Sequence, residues 1–121
     1  MKTKDSIIRQ KTFDFAIRIV NLYKHIITNK KEYVLSKQLL RSGTSIGANV
    51  NKALYGQSKK DFISKLHISL KEASETQYWL ELLNATNFLD EKEFKSISSD
   101  NIEILKILTS IIKTSKENLD N

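Results

Sequence analysis

Apolar residues recur at three- and four-residue steps through nearly the whole chain, and period-two alternation is nowhere sustained. The first amphipathic stretch runs from about Ser6 to Thr28. Its stripe of Phe13, Ala16, Ile17, Val20, Tyr23 and Ile27 is the predicted buried face, with Arg9, Lys11, Arg18 and Lys24 off it. The polar run Asn29 to Glu32 reads as the first loop. A second helix is expected from Ser36, taken as its N-cap, to about Tyr55, where Gly56 ends it as a C-terminal glycine. Ser58 with Asp61 three residues on forms a capping-box pattern. It opens a long third helix, about Lys59 to Thr86, with Phe62, Leu66, Leu70, Ala73, Leu80 and Leu83 inward. After a turn at Asn87 to Asp90, Asp90 and Glu93 repeat the pattern. The fourth helix carries Phe94, Ile97, Leu105, Leu108, Ile111 and Ile112 on one side, and its SISSD segment (Ser96 to Asp100) is expected to begin late or fray. Four helices with short connections predict an all-α, antiparallel up-down four-helix bundle, one domain over residues 1–121.

Composition narrows the chemistry. With 121 residues, no proline and three glycines, the chain suits one helical core with few tight turns. Cysteine is absent, which excludes disulfides, thiolate metal sites and cysteine nucleophiles and fits a reducing cytoplasm. No signal-peptide-like run opens the sequence and no window approaches about 20 uninterrupted apolar residues, so a cytoplasmic protein with no membrane span is expected. The net charge of +6 is unevenly spread: residues 1–71 carry a balance of +11 and residues 72–121 one of −5. Such a division suits a polyanion-binding surface, or contact between the basic part of one copy and the acidic part of the next.

The stretch RSGTSIGANVNKAL (Arg41 to Leu54) holds two glycines in the middle of a helix. It lacks the preceding strand and the Gly-Lys-Ser/Thr ending of a phosphate loop. At about 100° per residue, Arg41, Ser45, Asn49 and Lys52, with Gln38 beside them, fall on one polar face. Leu39, Ile46 and Val50 form the buried stripe, and Gly43 and Gly47 sit on its shoulder. Each glycine lowers helix propensity by about 1 kcal/mol relative to alanine. A neighbouring helix packed closely on that shoulder offsets the loss. The polar face fits phosphate contacts or a hydrogen-bonded subunit boundary equally.

Catalytic chemistry finds little to work with. His25 and His67 lie on different helices without acids at ligand spacing, Glu-x-x-His pairs are absent, and no serine has a base placed beside it in sequence. Glu72 and Glu75 share a helical face at three-residue spacing, where pairing with Lys or Arg of a neighbouring helix or chain is expected rather than acid/base work. Tyr78 and Trp79 point about 100° apart, one toward the core and one toward an edge. No enzymatic activity, metal or cofactor is expected.

Two segments, LSKQLLRSGTSIGANV and ISLKEASETQYWLELL, together resemble the four-helix-bundle family of 23S ribosomal RNA intervening-sequence proteins. The accessory variability proteins of diversity-generating retroelements are a related branch. The likeness runs from the first helix through Leu83 and fades in the fourth. Its most specific part is Leu39, Arg41, Ser45, Ile46 and Asn49 combined with Glu72, Glu75, Tyr78, Trp79 and Leu80. The resemblance implies a bundle that assembles into a ring, typically a homopentamer, with a basic surface suited to nucleic acid and no attached enzymatic activity. Lys52 stands where the family commonly places an acid, which makes this face more basic than usual.

The leading expectation is a non-catalytic homo-oligomer that binds RNA or DNA. Lys37, Arg41, Lys52, Lys59, Lys60 and Lys65 are the expected phosphate contacts, with Arg18 and Lys24 next. Gln38, Ser45, Asn49, Glu72, Glu75 and Trp79 are the expected motif or interface residues. Two alternatives remain: a protein-interaction adaptor, such as a reverse-transcriptase accessory subunit, and a purely structural oligomer.

Overall fold

The computed structural model describes residues 3–120; Met1, Lys2 and Asn121 of the expected 1–121 domain, including the start of the N-terminal run, lie outside the described residues. Helix α1 spans Lys4–His25 and continues through a π-helical turn, Ile26–Lys30. Helices α2 (Leu35–Leu54), α3 (Lys59–Ala85) and α4 (Glu91–Asp120) follow. Among the described residues there is no strand. Each helix packs on its neighbour in sequence, and α1 closes the arrangement against α4, giving the expected all-α four-helix bundle.

Local chemistry sets the helix ends. Ser58 Oγ accepts from the Asp61 amide at 3.0 Å and Asp90 Oδ1 from the Glu93 amide at 2.8 Å, as the capping patterns predict. Two expectations need correction. Ser36 is not an N-cap but a fully buried residue of the first turn of α2. The cap is the Glu32 carboxylate, which accepts from the amides of Val34 (3.0 Å), Leu35 (2.9 Å) and Ser36 (2.7 Å). Gly56 does follow α2, but its φ is not positive. Crowding explains the glycine: a Cβ there would lie 2.8 Å from Asp61 Oδ2 and 3.0 Å from the Ala53 carbonyl oxygen.

Helix α1 buries a different face from the one expected. Ile8, Thr12, Phe15, Ile19, Leu22 and Ile26 enter the core, whereas Phe13 and Ile17 are exposed and Ala16, Val20, Tyr23 and Ile27 half-buried. The helix carries two apolar stripes about a third of a turn apart, and the inward one includes a threonine. Thr12 is tolerated because its hydroxyl donates to the Ile8 carbonyl at 2.8 Å.

The core draws on all four helices, with Leu39, Ile46 and Val50 of α2, Leu66, Ala73, Leu80 and Leu83 of α3, and Ile97, Ile104 and Leu108 of α4 all buried. The two mid-helix glycines meet α1. A Cβ at Gly43 would lie 2.8 Å from Ile19 Cγ1 and Cγ2, and one at Gly47 3.2 Å from the Thr12 carbonyl oxygen. The shoulder of α2 is thin because α1 runs against it. Between α2 and α3, Ser69 Oγ donates to the Ile46 carbonyl at 2.9 Å, and Thr76 Oγ1 lies 3.0 Å from Ser42 Oγ.

The SISSD segment neither frays nor starts late, since α4 runs unbroken from Glu91. Ser96 and Asp100 of this segment bond to Arg18 of α1, and Ser98, with the adjoining Asn101, ties α4 to α3. Gln77 Nε2 donates to Ser98 Oγ at 2.7 Å, and the fully buried Asn101 donates to the Ala73 carbonyl at 2.9 Å and to Gln77 Oε1 at 3.1 Å. Asn101 Oδ1 accepts no hydrogen bond among the described residues.

Candidate functional site

The motif residues converge where α2 and α3 run side by side. Arg41 reaches from α2 to two carboxylates of α3, 3.2 Å from Glu72 and in direct contact with Glu75. Trp79 Nε1 donates to the same Glu75 carboxylate at 3.2 Å. Glu72 and Glu75 stand one helical turn apart, so a single guanidinium spans both. The Arg41 hydrogen bond, then that of Trp79, holds the Glu75 carboxyl below the usual carboxylate range despite opposing desolvation, and Glu75 in turn raises the Arg41 guanidinium. The expected pairing of these glutamates with a neighbouring helix occurs within the chain.

The rest of the polar face is satisfied locally. Ser45 Oγ donates to the Arg41 carbonyl at 2.6 Å and Asn49 Nδ2 to the Ser45 carbonyl at 2.9 Å, so both side chains are engaged with their own helix. Gln38 is exposed one turn before Arg41. Tyr78 stands outward with its ring edge-on to Trp79, centroids 5.0 Å apart, while Trp79 is half-buried against the core.

The basic residues divide into two kinds. Of the expected phosphate contacts, the two arginines, Arg18 and Arg41, are ion-paired. Arg18 of α1 bonds to Asp100 at 2.8 Å, Ser96 at 2.6 Å and Glu93 at 3.4 Å across the α1–α4 seam, beside a Lys11–Glu103 pair at 2.7 Å. By contrast, Lys24, Lys37, Lys52, Lys59, Lys60 and Lys65 have no carboxylate within 4.0 Å among the described residues; all are exposed except the half-buried Lys65. Lys52, Lys59, Lys60 and Lys65 lie within about two turns of the α2–α3 connection. Lys37 sits at the other end of α2, about 22 Å away at 1.5 Å per residue, beside the end of α1 that carries Lys24. Sequence reasoning passed over Lys30 and Lys31, exposed at this same end. Lys31 takes the left-handed conformation, φ 56°, where the chain turns out of the π-helical segment. A lysine run before a helix start is their only sequence signal.

Among the described residues, no helix is long and apolar enough to cross a membrane. The family model described as 23S rRNA-intervening sequence protein matches residues 4–110, reaching well into α4 and beyond the expected limit near Leu83. The chain is also similar to a crystal structure from Bacteroides thetaiotaomicron VPI-5482, a protein of unknown function from the S23 ribosomal protein family. That likeness has 55% identity and a TM-score of 0.91, and covers 92% of this chain and 99% of the other. No curated protein matches the chain.

Proposed function

Since the chain belongs to the family of 23S rRNA-intervening sequence proteins, we propose that it is a non-catalytic, cytoplasmic, ring-forming bundle that binds RNA or DNA through exposed lysines. The observation that carries this reading is the division between its cations. Arg18 and Arg41 face carboxylates of their own chain, whereas Lys24, Lys37, Lys52, Lys59, Lys60 and Lys65 are left to meet phosphates. Of these, the four near the α2–α3 connection form the principal contact, and Lys24 and Lys37 extend it to the far end of α2. Ammonium groups on flexible stems act as point charges, so binding follows backbone charge and shape rather than base sequence. The relative's placement in an S23 ribosomal protein family supports RNA as the first ligand to try.

Filter binding with a structured RNA over rising salt tests the proposal. The expected result is measurable binding at low salt that falls steeply as salt rises, by about 10³-fold or more between 50 and 200 mM if six phosphates are contacted. Binding indifferent to salt, or none at low salt, refutes it.

A further inference from the structure

Tyr55, where α2 ends, is the most exposed large apolar side chain among the described residues, at 73%. Its ring takes no part in the core, and the one aromatic pair among the described residues is Tyr78 with Trp79. The backbone beneath it is nevertheless pinned. Only Tyr55 to Ser58 separate α2 from α3. Within that turn the Gly56 amide donates to the Ala53 carbonyl at 3.0 Å, and Ser58 Oγ caps α3 through the Asp61 amide. A ring held outward on a fixed turn is ready to bind without first being ordered.

Its surroundings are cationic. Lys52 lies one helical turn before Tyr55, and Lys59 and Lys60 open α3 just after it. All three are exposed and have no carboxylate within 4.0 Å among the described residues. Asp61 is the one acid between Asn51 and Lys65. The other exposed rings lack this setting. Phe13 stands over a groove whose one charged lining residue is Arg9. Tyr78 lies between Glu75 and Glu81, each about one turn away on α3. Tyr33 has Lys30 and Lys31 before it, but it follows Glu32 and shares its end of the bundle with Asp90, Glu91 and Glu93 at the start of α4.

Lysines alone meet phosphates of paired and unpaired strands alike. A ring among them has a use only where a base is free. In a duplex the base faces are covered by their neighbours, whereas an unpaired base offers its π-face whatever its identity. We infer that Tyr55 stacks on an unpaired base of RNA whose flanking phosphates meet Lys52, Lys59 and Lys60. The site therefore draws part of its affinity from loops, bulges and single-stranded ends. The inference rests on the nucleic-acid reading above and adds to it the strandedness of the ligand.

Fluorescence anisotropy at low salt tests it with two labelled probes, an oligouridylate of about 16 nucleotides and a blunt RNA duplex of the same length. The proteins are the wild type, Tyr55→Ala, Tyr55→Leu, Tyr55→Phe and Tyr78→Ala. Because the Tyr55 side chain is exposed, its variants keep the wild-type far-UV circular dichroism, and Tyr55→Leu makes the same test should Tyr55→Ala fail to fold. Tyr55→Ala and Tyr55→Leu are expected to bind the single strand about 5- to 150-fold more weakly. Tyr55→Phe, which keeps the ring, and Tyr78→Ala bind it as the wild type does. No Tyr55 variant changes duplex affinity or the salt slope, since the ring carries no charge. Unchanged single-strand binding by Tyr55→Ala or Tyr55→Leu, an equal loss on both probes, or an equal loss in Tyr78→Ala overturns the inference while the nucleic-acid reading stands. A wild type that binds neither probe overturns both.

Discussion

Replacing Gly43 with alanine tests whether α2 is thin on one side because of α1. Helix propensity alone favours the substitution by about 1 kcal/mol. The structure opposes it. A Cβ at this position would come within 2.8 Å of both Ile19 Cγ1 and Cγ2 and 3.1 Å of Cδ1. The two closest atoms sit at the branch of a fully buried side chain, so they cannot swing clear as the end of a lysine would. Overpacking of this kind costs about 1–3 kcal/mol. Set against the propensity gain of about 1 kcal/mol, Gly43→Ala lowers stability by up to about 2 kcal/mol, and the melting temperature of a chain this size by up to roughly 10 °C. Gly47→Ala is milder, within about 1 kcal/mol of wild type, because its closest contact, the Thr12 carbonyl oxygen, lies at 3.2 Å. The decisive assay is urea unfolding at fixed protein concentration of wild type, Gly43→Ala, Ile19→Ala and the double variant. Ile19→Ala alone costs about 2–5 kcal/mol by opening a cavity. In the double variant the new methyl group moves into that space, so the combined loss falls short of the sum by at least about 1 kcal/mol. A Gly43→Ala protein more stable than wild type, or losses that add to within about 0.5 kcal/mol, refutes the reasoning.

Three further outcomes follow from the caps and polar seams. Glu32→Gln keeps an acceptor but loses the charge at the α2 N-terminus, costing about 0.5–2 kcal/mol by thermal melting at neutral pH. Burial works to raise the Glu32 carboxyl, but the amides of Leu35, Ser36 and Val34 together outweigh it and hold the group below its ordinary value. Its stabilisation is therefore full above the unfolded value, about 4.3, and is lost as pH falls through the lower folded value; below that, variant and wild type converge. Arg41→Ala leaves Glu72 and Glu75 facing each other without a cation. The expected loss is about 1–2 kcal/mol by denaturant titration, with the Glu75 carboxyl moving back up toward its ordinary value by NMR titration. Asn101→Asp puts a carboxylate against the Ala73 carbonyl in the dry α3–α4 seam. It destabilises by about 3–5 kcal/mol at neutral pH, and a melt near pH 4 recovers part of that as the buried acid takes up a proton.

Much of this fold is written in spacing that reflects one physical cause at a time. Ser58 and Asp90 are legible as caps because their chemistry is local, and Gly43 and Gly47 as a packing shoulder because the apolar stripe passes beside them. The inward face of α1 is not legible: Phe13, Ala16, Ile17 and Val20 make as regular a stripe as Ile8, Phe15, Ile19 and Leu22, and periodicity cannot rank two apolar faces. The SISSD segment misleads for a related reason. Serine and asparagine weaken an isolated helix, but Ser98 and Asn101 are held by Gln77 and Ala73 of α3, which lie far away in sequence. At the candidate site, the Arg41, Glu72, Glu75 and Trp79 set is visible as a combination. That Arg41 is engaged by those glutamates becomes clear only once α2 and α3 lie side by side.

The central claim is that the lysines near the α2–α3 connection, and not the ion-paired arginines, meet nucleic acid. Fluorescence anisotropy of a labelled structured RNA, titrated from about 50 to 200 mM salt, tests it with two proteins: the triple variant Lys52→Gln, Lys59→Gln, Lys60→Gln, and Arg41→Gln. The account predicts that the triple variant binds more weakly and loses about three from the slope of log affinity against log salt, while Arg41→Gln keeps the wild-type slope. Equal losses in the two variants, or a wild-type affinity that ignores salt, contradict it.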